Sequence, residues 1–175
     1  ELKGISSSGG TIRVGALMTH AELASSPALT AGCPMLSEAA GHIGDAQVRN
    51  FGTIGGNVAH ADPASDLPTV LVALDARFVA AGAQGERTIP ASEFFQGMMT
   101  TALGANEILT AIEIPAKQAG QGMAYAKFVH PASRYAVIGV AALVTMKGGS
   151  CVGAHVAIGG LLPVAARLPD VEAAL

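Results

Sequence analysis

The chain has 175 residues, half of them hydrophobic, with 13% charged residues and a formal net charge of -3. That is enough apolar material for a buried core in one domain or two small ones. It leaves no basic face to draw nucleic acid or an anionic membrane through counterion release, and the longest apolar runs, Val70 to Leu74 and Val137 to Val144, fall far short of the roughly 20 residues of a membrane span. A surface poor in charge and rich in Ala and Gly suits a protein covered by partners, so a subunit is expected. Cys33 and Cys151 are isolated from one another, which argues against a zinc knuckle or a disulfide framework and makes a reducing cytoplasm the expected compartment. The start at Glu1 instead of Met and the helix-like end at Val171 to Leu175 suggest a fragment.

In chain order, Thr11 to Met18 alternates as a strand does, and Thr19 with Glu22 forms a capping box for a helix reaching about Ala28. Met35 to Ile43 has helical spacing and ends at Gly44. Gln47 to Asn57 has no period, and Gly52, Gly55 and Gly56 mark it as a loop. A helix follows from Asp66, with Pro68 in its first turn, to about Asp75. Arg77 to Ala81 is expected as a strand, Gly82 to Gly85 as a turn, Ser92 as a short helix start, and Ile108 to Ile114 as a strand closed by Pro115. Gly120 to Gly122 is a joint, and a boundary is placed there. Beyond it, Met123 to His130, Val137 to Met146 and Cys151 to Ile158 are strands of an antiparallel sheet, the last two joined by a hairpin turn at Lys147 to Ser150, and a helix closes the chain. The fold class is therefore α+β, with one domain over 1–119 and a smaller antiparallel-sheet domain over 120–175.

The stretch that carries chemistry is Arg49-Asn-Phe-Gly-Thr-Ile-Gly-Gly-Asn57, followed by Val58-Ala-His-Ala-Asp-Pro-Ala-Ser-Asp66. Adjacent glycines without Cβ atoms form either a tight turn or a nest of main-chain N–H groups for a phosphate, with Thr53 and Asn57 as neutral donors at its ends. Asp66 either caps its helix or accepts hydrogen bonds from ligand hydroxyls. His42, His60, His130 and His155 are too scattered for a metal, and no nucleophile elbow, Walker loop or strand–GxGxxG–helix fingerprint is present.

The run Val48 to Pro68 resembles the second FAD-binding motif of the medium subunits of molybdenum hydroxylases, a family that includes carbon monoxide dehydrogenase and the FAD domain of xanthine dehydrogenase. Asn106-Glu-Ile-Leu-Thr-Ala-Ile-Glu-Ile-Pro115 and Lys127-Phe-Val-His-Pro-Ala-Ser-Arg-Tyr135 are similar to later signatures of the same family. The resemblance implies a PCMH-type FAD-binding domain with no catalytic acid or base of its own. Thr53, Ile54, Gly55, Gly56 and Asn57 would wrap the FAD pyrophosphate, and Asp66 would bind from the start of the next helix. Leu109 would lie against the flavin end, Lys127 would reach the cofactor from its strand with His130 as the competing residue, and Tyr135 would flank the isoalloxazine ring. It also implies a heterotrimer, or its dimer, with a molybdopterin-binding large subunit and an iron–sulfur small subunit, in which FAD passes electrons from 2Fe–2S clusters to NAD, a quinone or another acceptor.

The family's earlier Ala-Gly-Gly-x-Ser loop has no counterpart, since Ser6 to Gly10 lies too close to the following strand. An N-terminal subdomain of roughly 60 residues ahead of Glu1 is the expectation. A stand-alone flavin oxidase like vanillyl-alcohol oxidase and a cofactor-free scaffold subunit are the competing readings.

Overall fold

The structure is a computed structural model and describes residues 2–175. It opens with a hairpin, β1 (Ile5–Ser8) and β2 (Thr11–Gly15), turned by Gly9 and Gly10 at φ 56° and 78°. A helical run follows, α1 (His20–Ala24), α2 (Pro27–Gly32), α3 (Pro34–Gly41), α4 (Ala46–Phe51), α5 (Ile54–His60) and α6 (Asp66–Ala73). Next come β3 (Arg77–Gly82), β4 (Gly85–Pro90), α7 (Ala91–Phe94), the short strands β5 (Phe95–Gly97) and β6 (Thr100–Thr101), and β7 (Ile108–Pro115). The remainder is β8 (Gln121–Val129), β9 (Ala136–Lys147), β10 (Ser150–Gly159), β11 (Ala166–Arg167) and α8 (Pro169–Ala174). The α+β class holds, and the described pairings within each sheet are antiparallel.

Strand order is β1-β2-β7-β3-β4 in one sheet and β11-β10-β9-β8 in the other. Against the second sheet lies α6, all eight of whose residues are buried. A helix apolar on every side belongs in a core, and α6 packs against α3, β9 and β10. Gly139 on β9 leaves room for the Tyr125 side chain of the neighbouring strand β8: a Cβ there would sit 2.5 Å from the Tyr125 hydroxyl. No helix among the described residues is long and apolar enough to cross a membrane.

Three expectations are corrected. The strand from Thr11 stops at Gly15 instead of Met18, because the Leu2 main chain crosses so close that any Cβ would clash at 2.5 Å. The helix after Thr19 ends at Ala24, and Ser26 caps a new one at Pro27, a residue that starts helices but cannot continue them. The presumed loop at Gln47 to Asn57 is mostly helical: Asp45 caps α4 and Thr53 caps α5. Each cap satisfies orphan N–H groups, which lets helices this short form without apolar periodicity.

Candidate functional site

The site is built on the entrances to α1 and α5. Thr19 and Thr53 pair as an isolated antiparallel bridge, and each caps its own helix, Thr19 through the full capping box with Glu22. The His20 N–H donates to the Gly52 carbonyl at 3.0 Å, so the two starts are tied. His20 is 3% exposed beside them.

The glycine nest is not what these residues form. The Ile54 N–H donates to Met18 O at 2.9 Å, the Gly55 N–H to Ala16 O at 2.8 Å, and the Gly56 N–H to Thr53 Oγ at 3.1 Å. Ile54 and Gly55 are buried; only Gly56 is exposed. Gly55 is required for close approach, since a Cβ would stand 2.6 Å from Ala16 Cβ and 2.7 Å from Ala16 O. These main-chain donors are engaged inside the protein, and Thr53 to Gly56 form a rigid wall.

Beside that wall is a cleft of about 190 Å³, lined by His20, Asn57, Ser65, Asp66, Arg134 and Tyr135 with Ile43, Gly44, Val48 and Ser133. Of the nine residues the sequence singles out, Asn57, Asp66 and Tyr135 line it. Thr53, Ile54, Gly55 and Gly56 precede Asn57 on the same helix start, Lys127 lies next to Asp66, and Leu109 sits on β7 paired with Ala80, outside the lining. A cationic residue, Arg134, is among the lining residues, so the cleft is not lined by neutral residues and Asp66 alone.

Asp66 occupies the first turn of α6, after Ser65, and is not its cap. One carboxylate oxygen accepts from the Tyr125 hydroxyl at 2.5 Å and the other from Lys127 Nζ at 2.9 Å. Burial, with the Asp66 charge beside it, pushes the Tyr125 phenol far above its usual range, so it remains a donor. Lys127 is not reaching outward: its ammonium also donates to His42 O at 3.1 Å and Arg134 O at 2.9 Å, which uses all three of its hydrogens. The competing residue, His130, shapes the loop below the rim instead. Its ring Nδ1 accepts from the Ala132 and Ser133 amides, its main-chain N–H donates to Tyr135 O, and Arg134 closes the turn at φ 62°. Tyr135 is then 43% exposed on the cleft, its phenol raised by partial burial and by Asp62 and Asp66.

Sequence reasoning missed His20, Ser65, Tyr125 and Arg134. Two signals could have found them: His20 follows a recognised capping box, and Tyr125 is two residues from Lys127, which puts both on one strand face.

Two lining residues keep a buried polar atom without a partner, Nδ1 of His20 and Oδ1 of Asn57. Asn57 Nδ2 already donates to Ser65 Oγ at 3.2 Å. Burial, partly opposed by Asp66, lowers the His20 pKa from 6.5 to about 4, so the ring is neutral near pH 7. With Arg134 and Tyr135 at hand, the cleft fits a ligand that joins an aromatic ring and uncharged hydrogen-bonding groups to an anionic portion, the make-up of a flavin dinucleotide. Among the described residues no group of three His, Cys, Asp or Glu is placed to hold a metal.

Comparison with known proteins agrees with this chemistry. Residues 1–117 match the model of the FAD binding domain in molybdopterin dehydrogenase. The chain is 40% identical over 167 residues to the carbon monoxide dehydrogenase medium chain of Hydrogenophaga pseudoflava, covering 95% of this chain and 58% of that one. It is 39% identical over 172 residues to the 6-hydroxypseudooxynicotine dehydrogenase complex subunit alpha of Paenarthrobacter nicotinovorans, covering 98% and 58%. Superposed on the structure of carbon monoxide dehydrogenase from Hydrogenophaga pseudoflava, it gives a TM-score of 0.96 at 42% identity, over 99% of this chain and 61% of that one. Quinoline 2-oxidoreductase from Pseudomonas putida 86 gives 0.88 at 33% identity, over 95% and 57%. The chain thus spans a little under two thirds of the relatives it matches, and it belongs to the FAD-binding domain family of the molybdopterin dehydrogenases.

Proposed function

We propose that this chain is the greater part of a flavoprotein subunit that carries electrons from 2Fe–2S clusters through FAD to an external acceptor such as NAD or a quinone. Its partners in this reading are a molybdopterin-binding large subunit and an iron–sulfur small subunit, assembled as a heterotrimer or its dimer. The observation that carries it is the cleft at Asn57, Asp66 and Tyr135 in a chain of this family. We assign the FAD-binding domain to 1–119 and the smaller C-terminal domain to 120–175.

Bound FAD would supply the conversion between one-electron and two-electron transport. The chain's own residues bind and orient. Asp66, with lone pairs beyond those given to Tyr125 and Lys127, accepts from ligand hydroxyls. Arg134 draws the anionic portion, and Ile43 and Val48 keep part of the wall apolar. Tyr135 offers a ring face to the isoalloxazine. Thr53, Ile54, Gly55 and Gly56 hold Asn57 in place, and Lys127 sets Asp66 and the Arg134 loop. Leu109 backs the wall from β7.

The test uses the full-length subunit, purified with and without its two partners. The expected result is one FAD per subunit, a complex of all three proteins, and flavin in the complex that is reduced by substrate and reoxidised by NAD or by a quinone. A full-length subunit that stays colourless when incubated with FAD refutes the reading.

A further inference from the structure

The rim segment from His130 to Tyr135 is organised around one ring nitrogen. His130 Nδ1 accepts from the main-chain N–H of Ala132 at 3.3 Å and from that of Ser133 at 3.2 Å. A backbone N–H can only donate, so two of them aimed at Nδ1 fix the tautomer, and the proton of the neutral ring is on Nε2. Pro131 brings no N–H to compete for the same acceptor. The ends of the segment are closed by the Arg134 N–H on His130 O at 2.9 Å and the His130 N–H on Tyr135 O at 2.8 Å. Arg134 is thereby held at φ 62°, a conformation that a residue with a side chain keeps only where its surroundings enforce it. Ser133, Arg134 and Tyr135 reach the cleft from this turn.

Protonation reverses the role of Nδ1. An imidazolium carries N–H on both nitrogens, so the ring would aim a donor at two donors and the turn would lose its acceptor. Imidazoles take up this proton between pH 5 and 8, and His130 is exposed to solvent that delivers it. The charged and titratable groups about the segment are Lys127 on β8, Arg134 within it, His42 at the end of α3, Asp66 on α6 behind Lys127, and Asp62, which acts on Tyr135. Asp66 is paired with Lys127, and Asp62 accepts from the Ala64 amide. Neither takes over the two amides, since carboxylates and amides of other segments are already joined there.

We infer that His130 is a pH-sensitive latch: its neutral ring holds the segment against the cleft, and protonation releases Arg134 and Tyr135 and weakens the hold on the ligand. The inference rests on the reading that a flavin dinucleotide occupies this cleft. The neutral ring is the binding form, so affinity falls as pH drops through the titration of His130 and returns as pH rises.

The experiment follows the full-length, flavin-stripped subunit and its His130→Asn and His130→Leu variants across the range in which imidazoles titrate, pH 8 to 5. Oδ1 of Asn can accept the same two amides, and Asn before Pro favours such a turn, but it takes up no proton. Leu lacks the acceptor at every pH. Two quantities are read: the Kd for FAD by ultrafiltration, and the NMR shifts of the His130 ring nitrogens and of the Ala132 and Ser133 amides. The unmodified subunit should bind FAD about five- to tenfold more weakly at the acid end, the effect of one lost hydrogen-bonded turn, with the amide shifts moving together with the ring. His130→Asn should match it at the alkaline end and lose most of the fall, and His130→Leu should bind weakly throughout. An equal fall in the unmodified subunit and in His130→Asn overturns the inference, because the titrating group is then elsewhere. His130→Leu binding as tightly as the unmodified subunit at the alkaline end overturns it too, as does a ring that titrates without moving the two amides. A subunit that binds no FAD at any pH instead removes the functional reading, and the amide shifts of the ligand-free protein still decide whether the segment answers to the ring.

Discussion

The adjacent glycines Gly55 and Gly56 should respond unequally to alanine, with a clear loss at the first and little change at the second. At Gly55 the new Cβ would meet three atoms of Ala16 at 2.6, 2.7 and 3.0 Å, two of them main chain, so neither side can swing away. Forced contact in a packed interior costs about 1–3 kcal/mol, and parting α5 from β2 would weaken the 2.8 Å Gly55-to-Ala16 hydrogen bond by a further ~1 kcal/mol. Higher helix propensity returns about 1 kcal/mol, so Gly55→Ala is expected to lose about 1–3 kcal/mol. For a chain of this length that corresponds to a fall in Tm on the order of 2–12 °C. At Gly56 the new Cβ faces solvent and meets only the Thr53 hydroxyl at 3.1 Å. There the propensity gain and a slightly crowded cap nearly cancel, and Gly56→Ala should stay within about 1 kcal/mol of the parent. Urea unfolding followed by circular dichroism, with equal m-values, reads both. Equal losses at the two positions, or a neutral Gly55→Ala, would show that the wall is not packed as described.

Three other outcomes follow from the same structure. Lys127→Met removes the cation from a carboxylate whose side chain is only 6% exposed, and should cost about 3–5 kcal/mol in urea unfolding; adding Asp66→Asn should recover part of it, and additive losses would count against the pairing. His20, neutral in the fold down to about pH 4 but protonated below 6.5 when unfolded, makes the unfolded chain bind the extra proton in that window, so stability falls as pH drops from 6.5 to 4. The loss is up to about 3 kcal/mol, and His20→Leu should flatten that part of the curve, whereas an unchanged slope would refute the assignment. Cys33 is fully buried with its thiol pushed up to about 11, so iodoacetamide at pH 8 should label half-buried Cys151 and leave Cys33 intact until the protein unfolds, as mass spectrometry of the digested protein would show.

What could be read from the sequence follows how local each signal is. The strands Arg77 to Ala81 and Ile108 to Ile114 and the hairpin at Lys147 to Ser150 announce themselves by short apolar runs bounded by turn residues and by paired glycines, and all are present. The capping box at Thr19 is present too. The failures lie where distant chain decides. Nothing near Gly15 reports that Leu2 will cross it, and nothing near Gly55 reports that Ala16 will accept its amide. A glycine pair looks the same whether it opens space for a ligand or for another strand. The strand β1 that leads into the hairpin at Ser8 to Thr11 carries no sequence signal, because its serines lack the branched, apolar character of a strand; it forms by pairing with β2.

The cleft also shows why the family signature and the candidate site need not coincide along the chain. The matched model ends at residue 117, yet Ser133, Arg134 and Tyr135 on the rim, and the Tyr125 and Lys127 that orient Asp66, all come later. Asp66 is where the two parts meet: it stands on a helix of the first and is held by a strand of the second. Without β8 its carboxylate would face a cavity with neither donor, and an unpaired buried charge would cost more than the cleft could tolerate. The second sheet is therefore a component of the site. Lys127 ties its strand through single hydrogen bonds to the carbonyl of His42, the neighbour of the lining residue Ile43, and to that of Arg134, so a side chain that does not line the cleft links two of the segments that do.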